Sequence, residues 1–147
     1  MHLFDYPAGN LMESSFTTAG QEIVVDTTCI DGVNLGVSTC YDMRFPSLYQ
    51  NLVAAGAEIL LMPSAFTVKT GMAHWEIILR CRAIETQSCV INISGQNLWR
   101  TKFFGGQNFR RQAKFSAILS AEFLSDKVYR FFLFLFFSFQ FLANGNH

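Results

Sequence analysis

The stretch STCYDMRFP (38–46) places Cys40 directly after a run of small and β-branched residues and just before Pro46, a residue suited to the first turn of a helix. A strand ending here, a sharp turn and then a helix would push the cysteine clear of the sheet, towards the backbone N–H groups of the turn, as in a nucleophile elbow. Both arms of that reading are supported by the flanking sequence. QEIVVDT (21–27) and VNLGVSTC (33–40) are β-rich runs separated by TCIDG, whose Asp31-Gly32 pair predicts the turn of a hairpin. FPSLYQNLVAAG (45–56) predicts a helix, with Leu48, Leu52 and Val53 at helical spacing and Gly56 as its stop.

Further along, AEILLMPS (57–64) is a short, nearly all-apolar run of the kind that forms a strand buried on both faces. AHWEIILRCRAIETQ (73–87) predicts a second helix, with Trp75, Ile78 and Leu79 on one stripe and Glu76 placed to pair with Arg80 at i, i+4; SCVINIS (88–94) predicts a third strand of the buried type. Helix, strand, helix, strand after Cys40 implies an α/β fold whose strands run parallel under helices. Ligands in such sheets gather at the carboxyl ends of strands. Cys40 is at one, and the N–H of Tyr41 is the natural donor to an oxyanion formed there.

The 147 residues suit one domain, and the formal charge of zero argues against a phosphate-clamping, nucleic-acid-binding protein. The charge is unevenly spread, however. Residues 1–97 carry nine acids and four bases, the remaining fifty two acids and seven bases, so the two segments differ in kind. Cys29, Cys40, Cys81 and Cys89 include no CxxC pair, which fits reduced thiols and a cytoplasmic location. From residue 98 no clean period survives, although AILSAEFL (117–124) would make a turn or two of helix. FFLFLFFSFQFL (131–142) is shorter than the roughly 20 apolar residues of a membrane span. A single His74 is poor ground for a metal site, and no metal, cofactor, nucleic-acid or membrane partner is implied.

CYDMRFP (40–46), AGAEILLMPSAF (55–66) and TGMAHWEIILRCRAIETQ (70–87), together with HLFD (2–5), closely resemble the carbon–nitrogen hydrolase, or nitrilase, superfamily, in particular its deaminated glutathione amidase branch. The resemblance implies an α-β-β-α sandwich, here partial, that homo-oligomerises through surface helices. It also implies hydrolysis of a small carboxamide through a cysteine thioester. Cys40 matches the family's nucleophile, and Glu13, in LMESSFTTAG (11–20), matches the glutamate that helps to position the substrate and the attacking water. Asp42 and Arg44 are expected to form a structural ion pair holding the elbow, and His74, Trp75 and Glu76 a structural block beside the pocket.

Two departures from the family pattern stand out. The family's lysine comes two residues before the His-Leu pair and its other glutamate further upstream, whereas here His2 follows only Met1. A free thiol has a pKa of about 8.5 and needs a neighbouring base or positive charge to react well near neutrality. After about residue 97 the likeness also ends. These departures suggest a chain truncated at its amino terminus, with residues 98–147 a divergent basic and Phe-rich tail, disordered or artefactual. A mitochondrial address is the alternative location if residues precede Met1. A non-catalytic binding or oligomerisation module is the alternative to an amidase, while a thiol redox role lacks a resolving cysteine at motif spacing.

Overall fold

The computed structural model describes residues 1–30, 32–93 and 100–104, all within the unit Met1–Gly106; the 105–147 part of the tail lies outside the described residues. Two short strands open it. β1 (Asp5–Tyr6) and β2 (Leu11–Met12) pair antiparallel around a turn in which Asn10 takes the left-handed conformation. The Asx side chain tolerates that conformation better than most.

The main sheet has five strands in the order β3-β4-β5-β6-β7. β3 (Val24–Ile30) and β4 (Val33–Val37) form the expected hairpin, and Gly32 at φ 68 supplies the positive dihedral that its turn needs. α1 (Pro46–Ala54) then leads, through Gly56 at φ 99, into β5 (Ile59–Leu61), which runs parallel to β4. All three residues of β5 are buried. β6 (Cys89–Ile93) runs parallel to β5.

The second helix is longer than its periodicity predicted. It begins as α2 (Val68–Thr70), where the Thr67 hydroxyl accepts from the Thr70 N–H, passes through a π-helical turn (Gly71–Trp75) and continues as α3 (Glu76–Thr86), ending at Gln87 in the left-handed conformation. The stripe is as expected: Trp75 and Leu79 are buried and Ile78 packs against the core. A fifth strand, β7 (Arg100–Phe104), pairs antiparallel with β6, in a stretch where the sequence showed no period. Ladder hydrogen bonds with an existing strand require no alternation of the added one.

The core lies between the sheet and the two helices. Leu52 and Tyr49 of α1 and Leu79 and Ala83 of α3 pack with Leu60 and Val90 of the sheet. Gly36 allows this close approach, because a Cβ there would meet the Ala57 Cβ at 2.9 Å and the Leu52 Cβ at 3.3 Å. Two buried polar groups tie the layers together. Tyr49 donates its hydroxyl to Ser38 Oγ at 3.0 Å, and burial raises its pKa. Asn92, fully buried, accepts from the Trp75 indole at 3.1 Å and donates to Ser64 Oγ and the Met62 carbonyl. Buried polar side chains are tolerable when satisfied in this way.

Candidate active site

Beyond the end of β4 the ladder to the β5 side continues: the Ser38 N–H donates to Leu61 O at 3.0 Å and the Cys40 N–H to Pro63 O at 2.7 Å. At Cys40 the chain turns sharply. Cys40 sits at φ 45 and opens a 3-10 turn (Cys40–Arg44), so a non-glycine residue adopts the left-handed region where strand becomes helix. Strain of this kind costs about 1–3 kcal/mol and concentrates at active sites. The turn is capped reciprocally: the Thr39 side chain accepts from the Asp42 N–H, while Asp42 Oδ2 accepts from the Thr39 N–H at 2.9 Å.

Asp42 is buried and does not pair with Arg44 as expected. Its Oδ1 accepts from the His2 backbone N–H at 2.6 Å and from His2 Nδ1 at 2.7 Å. Arg44 instead donates to His74 Nδ1 at 3.2 Å, with its guanidinium 6.0 Å from the centre of the Phe66 ring. The reason is local. A carboxylate oriented inward to cap its own turn is beyond reach of the outward guanidinium two residues on. His74 and Glu76 are exposed, and Glu76 pairs with Arg80 at 2.6 Å as the spacing predicted. Trp75 is buried in the Asn92 network.

Glu13 opens the short turn after β2 and is buried, although its sequence surroundings are polar. Its Oε2 accepts from the Phe4 N–H at 2.7 Å, and its own N–H donates to Phe4 O at 3.2 Å. The hairpin brings this carboxylate within electrostatic range of the half-buried Cys40 thiol, whose pKa is raised. Burial is the main cause, with the Glu13 and Asp42 charges adding to it; the backbone N–H groups of Ala65 and Tyr41 oppose it by favouring the thiolate. Cys40, Glu13, Tyr41 and Asp42 are thus brought together, while His74 and Glu76 bond to arginines.

Four contributors were not singled out in the sequence. Ala65 follows the carboxyl end of β5, a place the sheet topology marks for ligands. Arg82, buried on α3, donates from Nε to the Met43 carbonyl of the elbow turn at 3.0 Å and bonds Glu85 at 2.7 Å. Asn92 ties β6 to Met62 and Ser64, just past the end of β5. His2 clamps Asp42, and only its place in HLFD marked it.

This chain belongs to the carbon–nitrogen hydrolase family. The family model "Carbon-nitrogen hydrolase" matches residues 1–107. Deaminated glutathione amidase of Yersinia enterocolitica is 47% identical over 100 residues, which are 65% of this chain and 34% of that protein. The crystal structure of Caenorhabditis elegans NitFhit superposes with a TM-score of 0.55 and 41% identity over 72% of this chain and 26% of that one. Saccharomyces cerevisiae Nit3, described as a member of branch 10 of the nitrilase superfamily, gives a TM-score of 0.53 and 35% identity over 64% of this chain and 34% of that one. The chain spans about a third or less of the length of these relatives. Among the described residues, no helix is long and apolar enough to cross a membrane.

Proposed function

We propose that Cys40 is the nucleophile of an amidase that hydrolyses a small carboxamide, such as deaminated glutathione, through a thioester. The observation that carries this is the conformation of Cys40, held at φ 45 at a strand end with Glu13 and the Tyr41 N–H beside its thiol. The thiolate adds to the amide carbon, and the carbonyl oxygen takes up negative charge at the Tyr41 N–H. Collapse expels the nitrogen, which leaves as ammonia with the proton that the thiol gave up. Water, positioned by Glu13, then attacks the thioester and returns the thiol with a carboxylic acid.

One observation favours a second reading, a non-catalytic binding or oligomerisation module. The charges named beside Cys40 are both carboxylates, which disfavour the thiolate that the reaction needs. Ammonia release from a panel of dicarboxylic acid monoamides and deaminated glutathione, with Cys40→Ala alongside, separates the two. The amidase reading expects saturable release that the substitution abolishes. Equal release from both proteins would rule out Cys40 as nucleophile, and silence from both would support the module.

A further inference from the structure

The amino-terminal residues do more than precede the first strand. The Met1 amino group donates to Gly20 O at 3.1 Å, the Phe4 N–H holds Glu13 Oε2, and between them His2 holds Asp42. Aromatic contacts follow the same line: the His2 ring stacks on Phe45 with centroids 3.6 Å apart and planes 6° from parallel, Tyr41 meets Phe45 edge-on at 5.4 Å, and Phe4 meets Tyr41 at 5.0 Å. Tyr41 lies within the elbow turn and Phe45 directly follows it. Residues 1–4 therefore run as a strap from the turn carrying Glu13 to the turn carrying Cys40.

Asp42 is the point where this strap meets the elbow. One carboxylate oxygen closes the cap on Thr39, the residue before Cys40, and the other receives two bonds from His2. Because a carboxylate oxygen only accepts, Nδ1 of His2 carries the hydrogen, and the imidazole adds a second donor to the backbone N–H. Its stacking on Phe45 fixes the ring plane. The carboxylate is thus held in the rotamer that keeps Thr39 and Asp42 capped, and hence keeps Cys40 in its left-handed conformation.

The geometry points to His2 as a positioning residue, whose imidazole locks the Asp42 carboxylate and so maintains the Cys40 elbow; this rests on the reading of Cys40 as the nucleophile. His2→Phe keeps the backbone donor and an aromatic ring over Phe45 but no side-chain donor, and His2→Asn keeps a side-chain donor near the Nδ1 position without the ring. Amide hydrogen exchange of the purified 147-residue chain tests the assignment without requiring turnover. In His2→Phe the Thr39 and Asp42 amides should exchange about tenfold or more faster, while amides of β5 and β6 stay within about twofold of the parent. His2→Asn should restore most of the elbow protection. Unchanged elbow amides in His2→Phe, equal behaviour of the two variants, or acceleration spread evenly into β5 and β6 would each overturn it. A failure of ammonia release would leave this result standing and would count against the amidase reading alone.

Discussion

At the scale of single residues, the chemistry at Cys40 is set by a contest between burial and carboxylates on one side and two backbone N–H groups on the other. The cysteine itself was legible, because a strand followed by Pro46 left few places for it except the turn. Glu13 was identified only through the family likeness, since a carboxylate among serines and threonines otherwise reads as solvated. The partner of Asp42 was not legible: pairing across forty positions of sequence leaves no local trace. The contest makes a specific prediction. Below the thiol pKa the thiolate fraction changes tenfold per pKa unit, and removing a negative neighbour lowers that pKa. Glu13→Gln should therefore speed alkylation of Cys40 by iodoacetamide at pH 7, by a few-fold and up to about tenfold, and under the proposed amidase reading, in which Glu13 positions the water, it should slow amide hydrolysis. The amide oxygen can still accept from the Phe4 N–H, so the strap is retained. Alkylation slower than in the parent would show that Glu13 does not oppose the thiolate.

At the scale of elements, the parallel order of β4, β5 and β6 and the helices between them followed from alternating apolar runs and helical stripes. β7 and the start of the second helix did not follow. The first borrows its hydrogen bonds from β6, and the second begins at a threonine cap ahead of any apolar period. What the elements do for the site is brace it: α3 reaches the elbow through Arg82, whose guanidinium also lies 5.7 Å from the centre of the Tyr49 ring. Arg82→Met keeps much of the apolar stem but leaves the Met43 carbonyl without this donor and Glu85 without its ion-pair partner. An unsatisfied buried group costs about 1–3 kcal/mol. Urea denaturation should show a loss of that size, and a midpoint equal to that of the parent would mean that Arg82 is not a brace.

At the scale of the whole molecule, the described residues build a helix layer on one sheet of the α-β-β-α plan, with the elbow, the Glu13 turn and the strap gathered at the carboxyl end of β4. Order along the chain, strand then elbow then helix, made this arrangement readable, because parallel strands need a helical crossover and the crossover after β4 begins at the elbow. The strap was not readable, since four residues without regular structure have no period. The central claim is that this end of the sheet presents Cys40 to an amide substrate. Its most direct test is substrate protection: alkylation of Cys40 and of the exposed Cys81, followed residue by residue by peptide mass spectrometry with and without a saturating dicarboxylic acid monoamide. The account predicts that the amide slows modification of Cys40 severalfold and leaves Cys81 unchanged. Equal rates at Cys40 with and without the amide would contradict it.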